Sequence, residues 1–478
     1  MKPIDLFESM GELDEKTLQR CRKVKSQRKL PRWMGAVAAL VAVALLCGFF
    51  LYPRGQVLTA YAIAEAVYPE MAPYPNESSP NLSEEYDAWR ESVKAQEQPE
   101  GYADGLEGFF ANSLREFLSG EAGENRAYAP VNVYLALGML AELTDGSTRQ
   151  EILDVLGADS IEALRIQAKA VWNAHYRNDG VTTSILGSSL WLNQDISYVP
   201  ETMKILAENY YASSFQGEMG SEDFDKALQD WLDAQTGGLL QNQIQGLELK
   251  PETVLALATT IYFQAKWYTE FSPQATAPGT FHALAGELTC DFMHSSSRGN
   301  SYCWGENFTS VGLPLANDGG TMWIVLPDEG QDVDSLLSSQ EVMDFLLSKG
   351  TWENQKHLTV NLSLPKFDIS SQQDLCQGLQ NLGLSEVFTG AGDFSPMTTQ
   401  VDMIALSQAT HGVRVAIDEE GVTAAAYTLM IMDATSMPVE DEVDFLVDRP
   451  FLFAITSPDG LPLFAGIVHT PSDTAQPE

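Results

Sequence analysis

Residues 411–438, HGVRVAIDEEGVTAAAYTLMIMDATSMP, constrain this chain more than any other stretch. The run Ala424–Ala426 taken alone favours helix. The wider alternation does not. From Val422, every second residue (Val422, Ala424, Ala426, Thr428, Met430, Met432, Ala434) is small or apolar, while the other set carries Tyr427 and Asp433. A two-residue period with one buried face is strand chemistry. Yet Asp418, Glu419, Glu420 and Gly421 precede it as an acidic, glycine-hinged boundary. The segment therefore suits a loop that also serves as a strand.

Five further pieces carry a resemblance. They are YAPVNVYLALGML (128–140), TTIYFQAKW (259–267), IVLPDEG (324–330), VNLSLPKFDI (360–369) and the tail RPFLFAI…LPLFAGIVHTP (449–471). In this order, with the 411–438 segment, they resemble the serpins, a family of serine-protease inhibitors, over residues 105–471. The resemblance implies an α+β domain with a large central β-sheet, further sheets, about eight or nine helices and an exposed reactive loop. It implies a suicide substrate rather than an enzyme. The protease attacks the loop and forms an acyl-enzyme, and the cut loop inserts into the main sheet before water can release the protease.

The same resemblance assigns the site residues. Glu419, Glu420, Gly421, Val422, Thr423, Ala424, Ala425 and Ala426 match the hinge. Counting fourteen residues from Gly421 places the scissile bond at Thr435–Ser436; counting back from Pro450 falls nearer Val439, and the hinge-side count is preferred because insertion length constrains it. A small residue at Thr435 implies elastase-like or subtilisin-like targets, and no basic residue lies between Arg414 and Arg449 to suit trypsin. His411, Asn132, Thr259 and Trp267 match the region where the sheet opens. This sequence departs from the family there: Thr259 stands for an Asn, and Ala129 and Asn132 stand for two Ser. Exchange of amide and hydroxyl groups is expected to preserve a hydrogen-bonded cluster with His411. A run of about 15 residues at ~3.3 Å each would extend roughly 50 Å, enough to span a long sheet.

The chain has 478 residues, five cysteines and a net charge of −38. So acidic a chain disfavours nucleic acid and anionic lipid, and it fits both a generally acidic surface and steering of a cationic protease. Sparse cysteine indicates no disulfide framework. Cys290 and Cys303 are read as free thiols, with pairing left open should adjacent strands bring them together. His282, Cys290, His294 and Cys303 have no zinc-type spacing, and no GxSxG, HExxH or phosphate-loop motif occurs. The reading includes no metal and no cofactor.

Residues 34–52 carry no charge. As a helix they rise about 28 Å, near a hydrocarbon core of ~30 Å. Seven Lys/Arg lie in residues 20–32, whereas Arg54 is the one basic residue in 53–89. This asymmetry puts residues 1–33 in the cytoplasm as a basic leader and the rest outside. A cleaved signal sequence ending near Ala60–Ala62 is the alternative, giving a secreted protein. Residues 53–104, rich in Pro, Glu, Ser and Tyr, read as an acidic extended linker, and 472–478 as a tail. The expectation is a monomeric, single-pass inhibitor on a bacterial cell surface.

Overall fold

In the computed structural model, the described residues are 60–75, 79–121, 123–422 and 441–471. They form a mixed α+β body of two large sheets. The first sheet runs β1 (Ala62–Ala64), β5 (Ala212–Gly217), β4 (Thr183–Asn193), β6 (Leu255–Lys266), β14 (Gly421–Val422), β13 (Thr410–Ile417) and β12 (Phe367–Asp374), with β3 (Arg177–Asn178) beside β4. The second runs β15 (Glu442–Leu446), β11 (Gln355–Pro365), β8 (Gly286–Trp304), β9 (Phe308–Pro314), β10 (Thr321–Pro327), β16 (Phe451–Thr456), β17 (Pro462–Val468) and β2 (Arg126–Tyr128), with β7 (Ala277–Ala283) on β8.

The helices are α1 (Leu82–Lys94), α2 (Glu107–Leu118), α3 (Pro130–Glu142), α4 (Gly146–Leu156), α5 (Ile161–His175), α6 (Pro200–Asn209), α7 (Glu222–Gln235), α8 (Gln241–Ile244), α9 (Val333–Leu337), α10 (Gln340–Leu346) and α11 (Cys376–Asn381). Ten of these lie in the described part of 105–471, slightly more than the eight or nine expected, because single-turn pieces such as α8 and α9 are included. Local chemistry explains their limits. Pro130 opens α3, where its missing N–H is no loss. Ser160 and Ser221 cap α5 and α7 by accepting from Ala163 N and Phe224 N. Gly157 closes α4 in the left-handed region at φ 69°.

Two cores result. The larger lies between the sheets and around α3, which is buried on all sides. The smaller lies on the opposite face of the first sheet. There Phe224, Leu228 and Trp231 of α7 pack on Trp191 and Phe215. Beyond the C-terminus of α7 polar contacts reach the sheet: Arg414 Nη1 donates to Leu239 O at 3.3 Å, and Gln372 Nε2 to Gln243 O of α8 at 3.4 Å.

The linker expectation is corrected. Residues 60–75 and 79–104 pack against the body: β1 pairs antiparallel with β5, and α1 buries Trp89. Tyr68 meets the rings of Trp172 and Tyr176 at 5.3 and 5.5 Å. Bulky aromatics set among Pro and Glu find deep partners, which an average over composition hides. The question of Cys290 and Cys303 is also settled by geometry. Both lie on the single strand β8, thirteen positions and so roughly 43 Å apart. They are free thiols, as is Cys376.

Candidate functional site

The acidic boundary Asp418–Gly421 is a tight turn leading out of β13. Asp418 N donates to Gly421 O at 3.1 Å, and Asp418 Oδ1 accepts from Glu420 N and Gly421 N. An Asp side chain turned onto the backbone ahead of it is a favoured turn device. The turn delivers Gly421 and Val422 into the first sheet between β6 and β13. Gly421 pairs with Lys266, and Val422 pairs with Ala265 on one side and Ile417 on the other.

Gly421 is required by space. A Cβ there would lie 2.3 Å from Ala265 O and 2.8 Å from Lys266 Cα. Val422 is 2 % exposed and joins the main core. With one strand between them, β6 and β13 stand about 9.6 Å apart at this level, two strand spacings. Among the described residues β6 and β13 have no direct pairing at any level. At this level the two residues of β14 part β6 from β13.

Four residues hold the hinge. Trp267, 3 % exposed, donates its indole N–H to Asp418 O at 2.8 Å and its backbone N–H to Glu420 O at 3.1 Å. Glu419 is clamped by Lys366 Nζ and Thr276 Oγ1, each at 2.8 Å. Burial pushes the Glu419 carboxyl up, but these two donors outweigh it and hold it below the ordinary range. Phe271 N donates to Glu419 O at 2.9 Å. Lys366 and Thr276 were missed by sequence reasoning; the one available signal was a single cation inside the apolar run LSLPKFDI.

Further along β13 and β6, the expected cluster takes a different form. His411, on β13, accepts at Nε2 from Ala129 N at 3.1 Å, and its ring meets Tyr128 edge-on at 5.3 Å. Asn132, one turn into α3, donates to the backbone oxygen of Thr259 on β6 at 3.3 Å. No bond among the described residues joins His411 to Asn132 or Thr259 directly. The start of α3 straddles the parting instead, holding β13 through one residue and β6 through another. The bond to Ala129 needs an unprotonated Nε2, and burial pulls the His411 pKa down to about 4.

Thr423, Ala424, Ala425, Ala426, Thr435 and Ser436 lie outside the described residues. The chain resumes at Asp441 and enters β15, parallel to β11, with Asn361 Nδ2 donating to both Glu442 and Asp444. Among the described residues no group of three or more His, Cys, Asp or Glu is placed to hold a metal.

Comparison with known proteins agrees with this geometry. The family profile described as Serpin (serine protease inhibitor) matches residues 106–471. Plasminogen activator inhibitor 1 of Sus scrofa is 27 % identical over 384 residues, covering 76 % of this chain and 91 % of its own. Serpin-ZX of Arabidopsis thaliana is 26 % identical over 363 residues, covering 73 % and 92 %. Among solved structures, the thermophilic serpin tengpin in its native state superposes with a TM-score of 0.69 at 25 % identity, covering 78 % of this chain and 95 % of its own. A complex of thyroxine-binding globulin with thyroxine has the same fold, with a TM-score of 0.65 at 22 % identity, covering 77 % and 99 %.

Proposed function

The chain belongs to the serpin family, and from that premise we propose that it is a suicide-substrate inhibitor of elastase-like or subtilisin-like serine proteases. The observation that carries this reading is Gly421–Val422 seated between β6 and β13, which otherwise do not pair among the described residues. The protease supplies the catalytic serine and becomes acylated at Thr435, releasing Ser436 as a new N-terminus. The freed arm continues from Val422 into the opening. Strand addition of this kind is the known behaviour of serpin loops.

The sequence of the arm supports the step. Val422, Ala424, Ala426, Thr428, Met430, Met432 and Ala434 present no charge to the inner face. Burying a Val or Met gains roughly 1.5–3 kcal/mol, and each ladder hydrogen bond about 0.5–1.5 kcal/mol net. Together these drive the arm, with its acylated protease, the length of the sheet. The uncharged run 34–52 and the basic residues before it support a membrane tether, with the inhibitor domain outside a bacterial cell.

Incubation with elastase, subtilisin, trypsin and chymotrypsin tests the proposal. The expected result is an SDS-stable complex with elastase or subtilisin, and a released peptide whose mass begins it at Ser436. Cleavage with no complex and no gain in heat resistance rejects inhibition. It would favour the alternative, a non-inhibitory serpin serving as an extracellular binding protein.

A further inference from the structure

Residues 60–75 and 79–104 precede the family match, and two of their aromatic donors reach carboxylates of the body. At the first anchor Trp89 Nε1 donates to Asp179 Oδ2 at 2.9 Å, Tyr74 N donates to Asp179 O at 2.8 Å, and Arg177 Nε supplies the counter-charge to Asp179 Oδ2 at 2.8 Å. At the second the Tyr102 hydroxyl donates to Asp459 Oδ2, in the turn between β16 and β17, and Ser457 Oγ donates to Asp459 Oδ1. The cation there is not an arginine. It is His175, the last residue of α5, whose Nε2 lies 3.6 Å from Asp459 Oδ1 and 3.4 Å from the Tyr102 hydroxyl.

The protons at the second anchor can be counted. His175 Nδ1 lies 2.6 Å from Val171 O, a carbonyl that only accepts, so Nδ1 carries a hydrogen. In a neutral imidazole that leaves Nε2 as a bare acceptor facing two oxygens. The one hydroxyl proton of Tyr102 then serves either Asp459 or His175, and the other acceptor goes without. The His175 side chain is 1 % exposed, so bulk water does not reach it to make up the deficit. With Nε2 protonated as well, the imidazolium faces the carboxylate, Tyr102 donates to Asp459, and each group is matched. Burial pushes the Asp459 carboxyl up, but His175, Ser457 and Tyr102 outweigh it and hold it well below the usual carboxylate range.

We propose that His175, Asp459 and Tyr102 form a proton-operated clasp: a charged His175 fastens residues 96–104 to the body, and a neutral one loosens them. The other charged groups at this join are Lys349, Asp104 and Glu107. The Lys349 backbone abuts Gly460, where a Cβ would lie 2.2 Å from Lys349 Cα, and its Nζ approaches Asp104 at 3.6 Å and Glu107 at 3.7 Å. Lysine, arginine and carboxylate side chains hold their charge between about pH 5 and 8, where imidazole changes its own. The bond from Gln167 Nε2 to Asp104 O, at 2.9 Å, carries no charge at all. The device therefore acts at one anchor only. The Arg177-backed anchor at Trp89 stays fixed, while the join between the N-terminal segment and α2 stiffens in acid and slackens above neutrality.

Amide exchange of the full-length chain, read by mass spectrometry and corrected for the intrinsic rate at each pH, tests the clasp. The reporter is a peptide spanning 96–105, which holds the Tyr102 and Asp104 amides bonded to Pro99 O and Gly101 O. The control is a peptide spanning α1, which carries Trp89. From about pH 5.5 to about pH 8, protection of the reporter is expected to fall about tenfold, the scale of one charge-assisted bond, while the control holds. Tyr102→Phe keeps the ring and removes the hydroxyl; His175→Gln removes the switchable charge. Each is expected to show the low protection at both pH values. Constant reporter protection in the wild type overturns the proposal, as does a pH response that survives in either variant. The measurement uses no protease, so its outcome is separate from that of the inhibitory reading.

Discussion

In the second sheet each strand from β15 to β2 bonds directly to its neighbours, and β16 and β17 are buried at every residue. In the first, β6 reaches β13 only through the two residues of β14 among the described residues, and most of β6 is half-buried. The sheets are nearly equal in strand number. Among the described residues one is paired from edge to edge, and the other is joined at its middle by β14 alone. Backbone N–H and C=O groups along such an edge invite pairing, and the loop that begins in the gap has the side-chain pattern to provide it. Stability and activity are therefore expected to separate between the sheets.

The largest effect is expected from Val422→Arg. It places a charge where the native side chain is 2 % exposed. The loop should still be cut, but the complex should vanish on SDS gels and the cleaved protein should gain no heat resistance. Next is Phe453→Ala in the second sheet, a fully buried ring. It should lower unfolding free energy by about 3–5 kcal/mol, read by denaturant titration, while the split between complex and cleaved product stays as in wild type. If the two variants exchange phenotypes, the contrast between the sheets is wrong.

Acid provides a third test. His411 is held neutral, with its folded pKa pulled from 6.5 to about 4 by burial. Between those values the unfolded chain binds a proton that the folded chain does not, so stability falls as pH drops from about 6.5 toward 4 and no further below that. The drop should be on the order of 3 kcal/mol. His411→Gln should flatten that part of the pH–stability curve; an unchanged curve removes His411 from the parting. The smallest effect belongs to Glu419→Gln. Lys366 is partly exposed, so the loss should be about 1 kcal/mol or less. Glu419 has a depressed pKa, so its contribution is present above the unfolded carboxylate pKa and disappears as pH falls through the folded one. Melting temperatures of the variant and wild type at neutral pH and near pH 3 check this, and should converge at the lower pH.

Much of the fold was legible. The helical spacing of residues 106–118, 131–142 and 148–156 falls on α2, α3 and α4, whose starts differ from it by one or two residues. The apolar runs TMWIVLP and FLFAI are β10 and β16, whose continuous hydrophobicity reflects burial on both faces. Gly421 and Trp267 were identifiable from their motifs, but what they touch was not. The partners of Glu419, at Thr276 and Lys366, lie 143 and 53 residues away, and no local pattern carries such pairings. Tyr68, Tyr74, Trp89 and Tyr102 failed for the same reason. Each is a single large ring in a polar stretch, and Asp179 and Asp459 give no sequence sign of waiting for them. The bonds at the start of α3 were misjudged in kind, because a backbone amide and a backbone carbonyl accomplished what side chains were expected to do.

The position of α7 has one further consequence. Its aromatic residues root it in Trp191 and Phe215, whereas on the β12–β13 side polar contacts that include Arg414 to Leu239 O and Gln372 to Gln243 O tie the residues after α7 to the sheet. For an arm entering beside β13, as proposed, the cheaper path releases those two hydrogen bonds and leaves the apolar face of α7 seated on Trp191 and Phe215.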